Sequence, residues 1–189
     1  MNAFEKKLYK TVVHNSLLFL EDGVKRMVEN GGRSLEDMLV LSCSNIQISL
    51  ELAMRAYVLR EKGLGNILDN SQRDKYTDEE KEQLYLDNRL KVVEFDSLKN
   101  QLKGKEFSVF KKEDFKIIDE FQILRNKIVH FCCSLEETEL DALRERLMYY
   151  VVRVVLCLIY DRFEEKRPAE YFEELLGWDF YRTLINDRG

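Results

Sequence analysis

The sequence has little proline and little glycine, with one Pro and eight Gly in 189 residues. Strand-rich proteins need many tight turns, and such turns use both residue types heavily. The composition therefore favours long helices. Hydrophobic residues make up 45% of the chain, which is enough to fill the core of one domain. We interpret residues 1–189 as a single domain.

Side chains that could hold a structural metal are also scarce. The two histidines are His14 and His130, and the four cysteines form no Cys-x-x-Cys pair. This pattern does not fit a structural zinc site, so we expect no metal and no cofactor. Cys132 and Cys133 are adjacent and poorly placed to bridge each other. We interpret all four cysteines as reduced thiols. Reduced thiols are typical of the cytoplasm, which is the location we expect for this protein.

The sequence also lacks the marks of a membrane or exported protein. Residues 1–10 show no signal-peptide pattern. The most apolar run, 149–160, is too short to cross a bilayer and contains Arg153. A net charge of -5 argues against a protein that coats nucleic acid through bulk charge. A local basic patch remains compatible with this charge, and a nuclease site requires no more than that.

Hydrophobic periodicity predicts an all-α protein. An up-and-down four-helix bundle is the natural architecture for long helices with short connections. We expect a helical insertion at about 64–110, in which Thr77 caps a short helix after a polar loop, and a short C-terminal helix over about 170–184. The four core helices are expected over about 4–30, 35–62, 113–131 and 135–165.

The middle of the second predicted helix is unusual in composition. Residues 42–49 read Ser-Cys-Ser-Asn-Ile-Gln-Ile-Ser, which is polar but uncharged. Uncharged polar side chains inside an otherwise apolar helix indicate a hydrogen-bonded interior or an interface.

The end of the third predicted helix carries Arg125, Asn126 and His130, the residue types that phosphodiester chemistry needs. Histidine moves protons near neutral pH. Arginine can hold a phosphate with two hydrogen bonds and stabilise developing charge. Asparagine can fix the imidazole tautomer or hydrogen-bond the substrate. Together these residues indicate a site that acts on a phosphodiester.

Helix geometry separates these three residues. At about 100° per residue, Asn126 and His130 lie roughly 40° apart on one face, whereas Arg125 and His130 lie about 140° apart. Three arrangements could still unite them. The helix could distort near its end, the long arginine could reach round, or a second copy of the chain could complete the site across a two-fold axis.

The segment from Arg125 to His130 resembles the Arg-x(4–6)-His motif of the HEPN superfamily of helical ribonucleases and RNA-binding modules. The segment Glu51-Leu52-Ala53-Met54-Arg55-Ala56-Tyr57 is similar to the Glu-Leu-x-x-Lys/Arg-Ala-Tyr run on the second helix of many such domains. The resemblance covers about residues 4–62 and 112–165. Glu51 and Arg55 share a helix face, and a plain intrahelical ion pair is the other interpretation of this pair.

The resemblance implies a metal-independent endoribonuclease, a toxin or anti-phage defence effector, that works on RNA as a homodimer with the motif at the interface cleft. The ribose 2′-OH would attack the adjacent phosphate and leave a 2′,3′-cyclic phosphate and a 5′-OH. His130 would be the acid and base, Arg125 the phosphate clamp with Asn126 beside it, and Glu51 with Arg55 a supporting polar pair. Some toxins of this superfamily carry a modified tyrosine two positions after the histidine. This chain has Cys132 there, so the resemblance does not imply that mode of control.

Two other classes of function remain open. One is a non-catalytic HEPN-like module that binds RNA, a nucleotide or a protein. The other is a helical antitoxin or immunity protein that neutralises a basic partner through its acidic surface. An antitoxin or another regulatory protein is also a possible partner of the ribonuclease.

In a purely structural interpretation, Arg125 and Asn126 face solvent and His130 caps the C-terminal end of its helix, where a cation is favourable.

Overall fold

A computed structural model describes most of the chain. It covers residues 1–28, 35–104, 107, 110, 112–131, 136, 138–139 and 148–160. Within the helices, the described side chains do not include those of residues 27, 28, 35, 36, 130, 131, 148, 149, 153, 157 and 160.

The described residues form seven α-helices and one short 3-10 turn, and these ranges contain no β-strand. The expectation of an all-α protein is confirmed. The helices are α1 (Ala3–Val28), α2 (Leu35–Lys62), α3 (Asn70–Arg73), α4 (Asp78–Leu86), α5 (Phe95–Leu102), α6 (Lys112–Phe131) and α7 (Met148–Tyr160), with the 3-10 turn at Leu64–Asn66.

The bounds of α2 and α6 agree with the sequence pattern to within one residue. Helix α7 falls inside the predicted fourth helix. The predicted start of that helix, most of its last turns and the C-terminal segment 170–184 lie outside the described residues. The predicted helical residues 29–30, 135, 137, 140–147, 161–165 and 170–184 therefore stay sequence predictions.

The insertion is folded onto the rest of the protein. Thr77 caps α4 through a capping box with Glu80, as the sequence predicts. The polar stretch before it was predicted to begin as a loop, but it contains the helical turn α3, because the Asp69 side chain accepts a hydrogen bond from the Ser71 N–H at 2.9 Å. The insertion also contributes side chains to the core, among them Leu68, Leu98 and Leu102.

Helix α2 occupies the centre of the fold and packs against α1, α5, α6 and α7. It ends where Gly63 adopts φ +80, a left-handed conformation that glycine accepts at low cost. Beyond this glycine, the Leu64 N–H donates to the Glu5 carboxylate of α1 at 2.8 Å. The C-terminal end of α2 is thus tied to the N-terminal end of α1.

Helices α1 and α2 are antiparallel and approach each other closely. A Cβ atom at Gly23 would lie 2.8 Å from Cγ1 of Ile46, so glycine is needed there for this separation. At the same interface the buried Ser16 hydroxyl donates to the Ser49 carbonyl at 2.8 Å. The polar run of α2 is therefore only partly hydrogen-bonded inside the fold, because the Ser42 hydroxyl and the Gln47 Oε1 are buried without a hydrogen-bond partner among the described residues.

Among the described helices, none combines the length and the apolar character that crossing a membrane requires.

Candidate functional site

The site predicted from the sequence lies on α6, which packs one face into the core. Ile118 and Phe121 of this face are fully buried. On a helix of 3.6 residues per turn, Arg125 lies about 40° from Phe121, so it belongs to the same inward face. Arg125 as a whole is only half-buried, whereas its Nε atom is buried.

Arg125 and Asn126 are joined by a hydrogen bond. The Arg125 Nη1 donates to the Asn126 side-chain oxygen at 3.0 Å. Asn126 lies between Arg125 and position 130 around the helix axis, at about 100° from the first and 40° from the second. The Nη1 atom of Arg125 therefore lies close to the Asn126 side chain. Which of the three arrangements unites Arg125 with His130 stays a prediction, because the imidazole lies outside the described side chains.

Arg125 also acts on α2. Burial raises the pKa of the Cys43 thiol to about 12, and the nearby positive charge of Arg125 partly opposes this rise. A thiol with this pKa stays protonated at neutral pH and is a poor nucleophile. Cys43 is therefore a packing residue of the core.

Glu51 and Arg55 form the ion pair that their spacing predicts. The Arg55 Nη2 also donates to the Val93 carbonyl at 3.1 Å, which ties α2 to the chain segment before α5. The structure thus brings Arg125 together with Asn126 on α6 and Glu51 together with Arg55 on α2.

The backbone of residue 130 belongs to the last turn of α6, whereas its imidazole is outside the described side chains. The backbone position of residue 130 can be compared with that of other residues around the axis of α6. Positions 112, 116, 119, 123, 126 and 130 follow one another at intervals of four and three residues, which places all six on one stripe of α6. This stripe is turned about 180° from Phe121, so it faces away from the core.

The same stripe borders an open cavity of about 820 Å³ between α5 and the first half of α6. Apolar side chains, including Phe110, Phe115 and Ile123, form much of its wall. Phe110 and Phe115 pack with ring centroids 4.9 Å apart, and the Lys103 ammonium lies 5.6 Å from the Phe115 ring. Lys112 and Lys116 of α6 also line the cavity.

A buried lysine fixes α5 against α6 at one side of this cavity. The Lys99 ammonium donates to Asp119 at 2.5 Å and to Gln122 at 2.9 Å, and it lies 3.1 Å from Asp96. Burial alone would lower the pKa of Lys99, but the hydrogen bonds to Asp119 and Asp96 outweigh it and raise this pKa. The hydrogen bond from Lys99 is also the main reason why the pKa of Asp96 is lowered.

The sequence predictions did not connect Cys43 with Arg125, nor did they identify the cavity. The polar run of α2 pointed to an interior but not to its neighbour on α6. A signal for the cavity was available, because residues 103–112 contain four lysines, one glutamate and two phenylalanines in a chain whose net charge is -5.

Within the described ranges, no group of three or more His, Cys, Asp or Glu side chains could hold a metal ion. Comparisons of the chain with models of protein families, with curated proteins and with solved structures found no match.

Proposed function

We propose that this protein is a metal-independent endoribonuclease with Arg125, Asn126 and His130 as its site. The observation that carries the proposal is the hydrogen bond from Arg125 to Asn126 at 3.0 Å. It directs the cation towards the side of the helix on which position 130 lies. A positive charge, an amide and a titratable imidazole would then act on one phosphodiester.

The proposed reaction needs one proton acceptor and one proton donor. A neutral imidazole accepts the proton of the ribose 2′-OH as the new bond from the 2′-oxygen to phosphorus forms. A protonated imidazole gives its proton to the 5′-oxygen as the bond from phosphorus to that oxygen breaks. The products are a 2′,3′-cyclic phosphate and a 5′-OH. Arg125 stabilises the additional negative charge on the phosphoryl oxygens in the transition state.

A homodimer supplies both imidazoles. The motif of the resemblance contains one histidine, so the second imidazole in this scheme is His130 from another copy of the chain. The resemblance to HEPN domains supports the same arrangement, with α1, α2, α6 and the helix containing α7 as an up-and-down four-helix bundle. We assign the protein to the cytoplasm as a toxin or defence effector, held in check by an antitoxin or another regulatory protein.

The test is cleavage of RNA by the wild type and by His130→Ala, with His14→Ala as the matched control for the loss of a histidine. We expect cleavage in EDTA that ends in a cyclic phosphate, a loss of at least about a hundredfold in His130→Ala, and unchanged cleavage in His14→Ala. Arg125→Lys keeps the charge but loses the second hydrogen bond to phosphate, so cleavage should fall while the fold is retained.

Equal cleavage by the wild type and His130→Ala would refute the catalytic assignment, as would the absence of cleavage from both. Thermal unfolding of each variant separates a loss of chemistry from a loss of fold. In cells, the same proposal predicts that expression of the wild type slows growth and that Arg125→Ala/His130→Ala does not.

A specific observation favours a second candidate, a non-catalytic HEPN-like module that binds RNA, a nucleotide or a protein. Arg125 belongs to the inward face of α6 and influences the buried thiol of Cys43, which is also what a structural arginine would do. In that case Arg125→Ala would lower the unfolding temperature, whereas His130→Ala would leave both stability and binding unchanged.

A further inference from the structure

We infer that the cavity between α5 and α6 binds single-stranded RNA and leads it along α6 to Asn126 and position 130. The choice of RNA as the ligand rests on the proposed function, although binding can be measured without cleavage. The surface of the cavity continues along α6. The cavity borders α6 at Lys112, Lys116 and Ile123, and these positions lie on the same outward stripe as Asn126.

The length of the stripe suits an extended strand. From position 112 to position 130, α6 rises about 27 Å, and from Ile123 to position 130 about 10 Å. A strand of several nucleotides can lie along such a distance. A nucleotide in the cavity would therefore be separated from the proposed cleavage position by a short stretch of the same strand.

The side chains of the cavity fit the two parts of a nucleotide. Phe110 and Ile123 offer apolar surface to a base, since Phe110 is partly buried and Ile123 is 60% exposed. The ammonium groups of three lysines, at positions 103, 112 and 116, can contact phosphates. Single-stranded rather than duplex RNA is favoured, because the bases of a duplex are stacked on each other and do not offer their faces.

The carboxylates of the cavity balance its lysines. Glu113, Asp119 and Glu120 line the same cavity as the three lysines. The buried ammonium of Lys99 is shared by Asp119 and Asp96, so including this cluster does not change the balance. The Glu120 carboxylate lies 4.0 Å from the Lys116 ammonium. Phosphates would therefore bind through contacts with individual lysines and not through a net positive charge of the cavity.

The experiment measures binding of a short fluorescein-labelled single-stranded RNA whose 2′-hydroxyls are methylated, so that the proposed attack cannot occur. Lys103→Gln/Lys112→Gln/Lys116→Gln is compared with Lys6→Gln/Lys7→Gln/Lys10→Gln, which removes the same charge from exposed lysines of α1. We expect affinity at low salt to fall at least about tenfold in the first variant and the salt slope to decrease by about 2, with little change in the second.

If the cavity triple variant loses its fold, Ile123→Glu provides the same test, because it places a negative charge at an exposed position of the cavity wall. Three results would overturn the inference: no binding by the wild type, equal losses in the two triple variants, or equal competition by duplex RNA. Binding that depends on the cavity lysines, without cleavage of unmethylated RNA, would refute the catalytic proposal alone. Cleavage with a KM that the cavity lysines do not affect would refute the cavity alone.

Discussion

The contact between α1 and α2 differs from the contact between α5 and α6 in how it is held and in what it leaves open. Gly23 allows α1 and α2 to approach until little space remains, and the hydroxyl of Ser16 is satisfied by the backbone of α2. At the other contact, the charged Lys99 joins α5 to α6, beside a cavity of about 820 Å³. The comparison indicates that the first contact is a rigid scaffold and the second a surface with room for a ligand.

The largest expected effect comes from filling the closed contact. Gly23→Val places its first added carbon 2.8 Å from Ile46 Cγ1, so the helices must separate. We expect the free energy of unfolding to fall by about 3 kcal/mol, as for an overpacked core. Urea unfolding monitored by circular dichroism measures this change.

The matched control is an enlargement at the open contact. Ile123 is 60% exposed, so Ile123→Phe should change the unfolding free energy by less than about 0.5 kcal/mol. If the two enlargements cost the same, the distinction between a closed and an open contact is wrong.

A smaller effect is expected from Lys99→Met, which keeps the stem of the side chain and removes its charge. Three acceptors lose their shared donor, but Asp96 and Asp119 are exposed enough to be rehydrated, with side chains 68% and 45% exposed. We expect a loss of about 1.5 kcal/mol at low salt, measured by urea unfolding.

Salt separates the charged contact from the neutral one. The cost of Lys99→Met should shrink as salt is raised to about 1 M, since screening weakens the ion pairs that it removes. Ser16→Ala removes a neutral buried hydrogen bond and should cost about 1 kcal/mol at every salt concentration. If the cost of Lys99→Met did not change with salt concentration, the contribution of Lys99 would come from hydrogen bonds such as that to Gln122 and not from its ion pairs.

The smallest predicted effect is a pH dependence at the open contact. The hydrogen bond from Lys99 lowers the pKa of Asp96 below its ordinary value of 3.8. A lowered pKa stabilises the fold above the ordinary value, and this contribution is lost as the pH falls through the folded value. Asp96→Asn should therefore be less stable than the wild type near neutral pH, by less than about 1 kcal/mol because the group is exposed.

This difference should vanish in strong acid, as measured by urea unfolding at several pH values. The control compares Lys99→Met with Asp96→Asn/Lys99→Met, because Asp96 has already lost its main partner in Lys99→Met and its replacement should then have little effect at any pH. At alkaline pH, the contribution of Lys99 to stability also has a defined direction. The raised pKa of Lys99 stabilises the fold below the ordinary lysine value of 10.5 and ceases to do so as the pH rises through the folded value. If the contribution of Lys99 to the free energy of unfolding increased at alkaline pH, the raised pKa of Lys99 would be contradicted.

Local patterns were sufficient for the long helices. The bounds of α2 follow from its hydrophobic period and from Gly63 just beyond it, and the cap of α4 follows from Thr77 and Glu80. The short helix α3 was missed because its four residues carry no periodicity, and its start depends on hydrogen bonds that Ser71 donates to the Asp69 side chain. Short elements of this kind are set by individual side chains rather than by a repeating pattern.

The sequence by itself determined that the protein is helical, that Glu51 and Arg55 pair, and that Arg125 and position 130 lie on different faces of one helix. These properties depend on residues within a few positions of each other, so helix geometry decides them. The tertiary structure alone decided that the charge of Arg125 influences the buried thiol of Cys43 and that the outward stripe of α6 borders a cavity. Both depend on how α6 packs against α2 and α5, and residues far apart in the chain set that packing.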